Sequence, residues 1–407
     1  APVSRPCQSL TPGEGRCYHL RRFVPGIQGS AMWKTEEGST GRLLQLCLGY
    51  FVFYVITGVA VKYFTEYPDR AHAAMKDAEF LVYSTVGGSI VCLAVVLARS
   101  WYRLQSNGYV RWCGLSLPQE FVYIVPSGVC TAIIIPTTTL MYMLPGISVM
   151  VAMVIMRGAV IVISRLVDAV QISQGILHKK VYWQENAAVV LAIGAVCTKL
   201  LTGRKGNEFD FVTNPAAMTI LGSYILAYSA RIYLMNYFKN TRGKGVKQDN
   251  KGFFAVEQLS ASVAMAIVAA VIVFAPSDLA TPNMALFNKA IRDPKPLWAW
   301  AIFAGGFYGL VAFCSVFIFI FKGRTATFAG LVNRLTSLMA GTAATIVSWK
   351  FLSGKFPTNE EWYSLGLILV AVGFLTFSER RRAAEMTGIP SLSSLSGTSV
   401  WPGPPKP

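Results

Sequence analysis

Ile147-Ser148-Val149-Met150-Val151-Ala152-Met153-Val154-Ile155-Met156-Arg157-Gly158-Ala159-Val160-Ile161-Val162-Ile163 is apolar on every face of a helix apart from Ser148 and Arg157. A strand of a membrane barrel would alternate apolar and polar side chains over about ten residues. This stretch does not, and it reads as a helix with lipid or other helices on all sides. A bilayer core of about 30 Å takes about 20 mostly apolar residues per helix. Stretches of that kind recur at 43–64, 79–99, 119–141, 145–167, 184–202, 215–237, 253–275, 297–321, 325–348 and 362–378. The composition agrees, since 53% of the 407 residues are hydrophobic and only 14% are charged, too apolar for an ordinary soluble domain. The expected fold is an all-α integral membrane protein of about ten transmembrane helices.

A net charge of +17 would suit nucleic acid only if the basic residues gathered on one exposed face among base-stacking side chains. They sit in loops instead, so no nucleic-acid partner is expected. Counted alternately, the loops of one side hold Arg99, Arg103, Arg111, Lys179, Lys180, Lys239, Arg242, Lys322, Arg324, Arg380, Arg381 and Arg382. The opposite loops are poorer in basic residues, which places both termini in the cytoplasm by the positive-inside rule. The protein is expected to be multi-pass, in a bacterial inner membrane or an internal eukaryotic one. Residues 1–42 read as a disordered cytoplasmic segment. Residues 383–407, with their Ser-Leu and Pro-Gly repeats, read as a disordered tail.

Enzyme chemistry finds no support. The cysteines show no metal or disulfide spacing, and His19, His72 and His178 lie outside every span. There is no His-Glu-x-x-His, no Gly-x-Ser-x-Gly and no phosphate-binding glycine loop. No cofactor or metal is expected. The expected partners are the bilayer and a small-molecule substrate, with room for a homodimer.

Internal repetition gives the architecture. With Trp183 set on Trp362, the run Ala187–Ala195 falls on Gly366–Phe374 without a gap. Upstream of each Trp stands a short basic hairpin, at Leu177–Lys180 and at Phe351–Lys355, and before each hairpin a helix with one deep arginine, Arg157 or Arg334. Residues 43–202 and 214–378 are therefore expected to be two five-helix repeats. Five is odd, so the second copy is inverted relative to the first.

The run Tyr142-Met143-Leu144-Pro145-Gly146-Ile147-Ser148-Val149-Met150, followed by Met156-Arg157-Gly158-Ala159-Val160-Ile161-Val162 and the Lys179-Lys180 hairpin, resembles members of the drug/metabolite transporter superfamily, in particular its nucleotide-sugar and solute-carrier branch. The segment Phe351 to Phe377, with Phe356-Pro357 and Trp362, is similar to the last hairpin of EamA-type proteins. The first half departs from the pattern, with Val181-Tyr182 where a Pro is usual, and Gly354-Lys355 stands where a Gly-Glu pair is common. The resemblance implies a transporter working by alternating access. A non-transporting scaffold or receptor with a transporter-like fold is the alternative.

Charges inside hydrocarbon cost at least about 2.5 kcal/mol each, so deep charged residues are the candidates for function. Arg157 and Arg334 both fall near the middle of their spans. Two cations in a low-dielectric cavity call for an anionic or phosphate-bearing substrate between them. The bland reading is that each arginine ties off helix carbonyls or a carboxylate. Asn333 is a neutral hydrogen-bonding candidate beside Arg334. Arg231 shares a helical face with Tyr224 and Tyr228, a cation with aromatic rings that would suit a ring-bearing solute. Glu257 and Glu79, at the openings of the seventh and second spans, are candidates for ion coupling, although helix-dipole placement explains both equally well. Gly305, Gly306 and Gly309 suit either a kinkable helix or close packing.

Overall fold

In a computed structural model the protein is described over residues 38–65, 75, 77–106, 108–112, 115–142, 149–178, 181–202, 215–242, 248–275, 281–352 and 359–386. The chain there forms α1 (Thr40–Thr65), α2 (Asp77–Ala98), an antiparallel hairpin of β1 (Tyr109–Trp112) and β2 (Leu115–Pro118), α3 (Phe121–Tyr142), α4 (Val149–Ser173), α5 (Trp183–Thr202), α6 (Pro215–Asn240), α7 (Asn250–Phe274), α8 (Pro282–Arg292), α9 (Trp298–Phe319), α10 (Ala326–Leu352) and α11 (Asn359–Met386). Six of these helices, α1, α2, α3, α7, α9 and α11, are long and apolar enough to cross a membrane. The architecture is that of an all-α, multi-pass membrane protein, with the small hairpin the only sheet among the described residues.

Local chemistry explains where several elements begin and how they hold. Asp249 caps α7 by accepting from the Gly252 amide at 2.9 Å, so the helix starts earlier than the apolar run does. Thr281 and Pro282 start α8 in the same manner. At 11 residues α8 is too short to span, and its Ala290 carbonyl accepts from the Tyr83 hydroxyl at 2.7 Å. Helix α3 continues through Pro126 and Pro136, and the hydroxyls of Thr137 and Thr138 each bond to the carbonyl four residues back at 2.7 Å.

The closest helix contacts are made through glycine. A Cβ on Gly87 would stand 1.8 Å from the Ile302 carbonyl oxygen, one on Gly305 2.3 Å from that of Ser84, and one on Gly309 2.5 Å from that of Gly88. α2 and α9 thus touch backbone to backbone. Gly128 does the same for α3 against α7, 2.6 Å from the Glu257 carbonyl oxygen. The glycines of α9 serve close packing, and α9 runs unbroken through them. Elsewhere α5 packs on α11, α3 on α6, α1 on α9 and α10, and α4 on α6 and α10.

Some details depart from the sequence expectations. The hairpin and α8 were not expected. α1 starts at Thr40, inside the segment expected to be disordered, and α11 runs to Met386, past the expected end at 378 and into the expected tail. The Pro145 turn, the Lys179-Lys180 hairpin, the 353–358 segment and most of both terminal segments lie outside the described residues.

Candidate functional site

Two arginines are buried in the middle of the bundle, Arg157 on α4 at 5% exposure and Arg334 on α10 at 9%. Each is the ninth residue of its helix, eight after Val149 or Ala326. Each stands against a tyrosine of another helix. The Arg157 Nη2 donates to the Tyr54 hydroxyl at 2.9 Å, with the guanidinium 5.6 Å from that ring centre. The Arg334 guanidinium lies 5.0 Å from the ring centre of Tyr228 on α6. Both tyrosines belong to i, i+4 pairs, Tyr50–Tyr54 with ring centres 5.6 Å apart and Tyr224–Tyr228 at 4.8 Å. Tyr50 is near enough to feel the charge of both arginines.

Among the described residues neither arginine has a carboxylate within salt-bridge distance. Arg334 goes further: its Nε and Nη2 are buried and have no hydrogen-bond partner. Those two atoms form the side edge of the guanidinium, which grips a carboxylate or phosphate in two parallel bonds. Gly341 of α10 lies beside Arg157, where a Cβ would make ordinary contact with the Arg157 Nη1 at 3.9 Å.

The other candidates are placed differently. Arg231 spends its side edge on Glu257, with Nε to Oε1 at 2.9 Å and Nη2 to Oε2 at 3.4 Å. Ser127 and Thr131 of α3 donate to the same Oε1 at 2.8 and 3.3 Å. Glu257 is 0% exposed and lies two turns inside α7, not at its opening as the sequence suggested, because the Asp249 cap moves the start of the helix back. Asn333 bonds to Ser315 of α9 at 2.9 Å and accepts from Tyr50 of α1 at 3.5 Å, so it faces neighbouring helices. Glu79 is the third residue of α2 and is buried, next in the chain to Phe80, which belongs with Met75 and Tyr83 to a small apolar cluster.

One end of the bundle carries a polar layer that the sequence did not reveal. Asp168, near the end of α4, accepts from the Ala326 and Thr327 amides at 2.8 and 2.6 Å and so caps α10. Glu185 of α5 accepts from Arg382 and Ser378 of α11 and from Thr325. Glu379 accepts from Arg324 and from Thr40, which sets the start of α1 and the end of α11 at the same end. Gln171 and Asn236 bond at 2.8 Å, and Lys239 reaches the Phe319 carbonyl at 3.2 Å. Arg242, Glu120 and Gln105 tie the hairpin segment into this layer.

Neither a family model nor a curated protein matches the chain. A solved structure described only as the crystal structure of a protein is similar over 84% of this chain and 100% of its own, at 13% identity and a TM-score of 0.48. That likeness is too slight to carry an argument about fold or function.

Proposed function

We propose that the protein is a membrane carrier that moves a small anionic metabolite across the bilayer by alternating access, as ten spans in two inverted five-helix repeats. The observation that carries this reading is the pair of buried arginines, Arg157 and Arg334, each set against a tyrosine and neither within salt-bridge distance of an acid among the described residues. A cation kept in the middle of a membrane protein without a counter-charge is costly. It is accounted for when a ligand brings the missing negative charge.

The repeat is supported by the way the helices pair. Leaving out the short α8 and numbering the other ten in order, replace each helix by the one five places on. The α2–α9 contact becomes α7–α3, α3–α6 becomes α9–α1, α1–α10 becomes α6–α4, and α5–α11 and α4–α10 map onto themselves; all of these contacts are present. The same exchange carries Tyr54–Arg157 of α1 and α4 onto Tyr228–Arg334 of α6 and α10. An odd number of helices per repeat makes that relation an inverted one. The neighbouring ends of α1 and α11 agree with an even number of spans, and the loop charges favour the cytoplasm for that end. The polar layer there would then be the closed gate. The likeness of Tyr142–Val162 to the drug/metabolite transporter superfamily points the same way.

The test is uptake by proteoliposomes from a panel of carboxylates, phosphorylated metabolites, nucleotide sugars, amino acids and cationic drugs, with Arg157→Ala and Arg334→Ala alongside. Accumulation of anions that both substitutions abolish is the expected result. Transport of cations alone, transport that ignores the substitutions, or no transport at all would sink the proposal, the last in favour of a scaffold.

A further inference from the structure

We infer that the ligand of the central site is a small dicarboxylate, bound with one carboxylate at Arg334 and the other at Arg157; this rests on the carrier reading above and makes it specific.

Two guanidiniums, of Arg231 on α6 and Arg334 on α10, lie near enough to feel each other's charge. Arg231 uses Nε and Nη2 to hold both oxygens of the Glu257 carboxylate. Arg334, also beside Tyr228, presents the same two nitrogens buried and without a partner. The molecule therefore shows what this edge takes when it is filled, a planar carboxylate gripped in two parallel bonds. A side chain nine-tenths buried with two unmet donors is expensive to keep unless a ligand completes it.

Charge sets the second end. Arg231 and Glu257 cancel, which leaves the centre with the charges of Arg157 and Arg334. A ligand of charge two neutralises them, whereas a bisphosphate would bury a surplus of negative charge and a monocarboxylate would leave one cation unmatched. Geometry divides that charge. The arginines come from different helices, α4 and α10, and each stands against a different tyrosine, Tyr54 of α1 and Tyr228 of α6. Two separate receptors of the same make suit a ligand with an anionic group at each end and a short body lodged among the rings.

The test is uptake of labelled succinate by proteoliposomes holding the full chain, with unlabelled malonate, glutarate, monomethyl succinate, butyrate and methyl phosphate as competitors. A dicarboxylate of the best length should compete about tenfold or more better than monomethyl succinate or butyrate, in line with the loss of one charge-assisted contact. Arg334→Lys keeps the charge and loses the two-pronged edge, so this preference should shrink towards parity while the variant still folds. If monomethyl succinate or butyrate competes as well as the diacids, the two-ended site is wrong and the carrier reading stands. Methyl phosphate outcompeting every dicarboxylate would likewise overturn it, in favour of a single phosphate held by both arginines. Failure of every anion to move would remove both proposals together.

Discussion

Arg231 and Arg334 both lie near Tyr228 and are treated in opposite ways. On the α7 side of Tyr228, Arg231 is closed off by Glu257, which in turn takes hydroxyl hydrogen bonds from Ser127 and Thr131. On the α10 side, Arg334 has an aromatic face beneath it and nothing at its side edge. Burial is similar, so burial alone does not distinguish the two arginines. The separation lies in whether the protein itself supplies the opposite charge.

The sharpest way to break this contrast is to remove the acid from one side and the cation from the other. Glu257→Ala strands Arg231 in the bundle and should lower stability by about 3–5 kcal/mol, read as denaturant or thermal unfolding in detergent. Arg334→Ala deletes a cation that has a tyrosine ring but, among the described residues, no carboxylate to leave stranded, and the same measurement should move by no more than about 1 kcal/mol or show a gain. Equal losses in the two variants would mean that Arg334 is as structural as Arg231. The polar layer gives the next effect. Asp168→Ala leaves the Ala326 and Thr327 amides without their acceptor and should cost about 1–2 kcal/mol, the usual cost of losing a helix cap, with faster amide exchange at those two positions. The smallest effect is expected for Tyr54→Phe, which keeps the ring and removes one hydrogen bond inside the membrane, worth about 0.6 kcal/mol. It should weaken anion transport a few-fold at most and leave unfolding almost unchanged.

The sequence exposed Arg157 and Arg334 because a charge in an apolar run stands out against its neighbours. Tyr54 was hidden by the same contrast, since a tyrosine in a uniformly apolar span such as α1 carries no signal of what it faces. Glu257 was legible as a residue but not in its role: the hydropathy of the seventh span begins at Phe253, and the Asp249 cap that carries the helix further back is a local polar contact that hydropathy does not register. Asp168, Glu185 and Glu379 were missed because their partners lie far along the chain, 158 residues away for Asp168 and Ala326, and pairing at that range has no periodic trace. The same holds for α8 and the hairpin, which are too short to register as spans. The glycines of α9 could be read either as a flexible joint or as a contact surface, and only the position of α2 decides between them.

Two features of α4 and α10 together have a mechanical side. The helices cross where a Cβ on Gly330 would lie 2.2 Å from the Ser164 Oγ, and beyond that crossing Asp168 grips the first amides of α10. Each helix is a stiff rod, and at about 1.5 Å per residue Arg334 stands about 6 Å from the crossing and Arg157 about 10 Å. The pair is built like tongs, with a fulcrum at Gly330, a clasp at Asp168 on one arm of the lever and a cation on each jaw. On the carrier reading proposed above, a ligand that draws the jaws together would load the clasp at the far end.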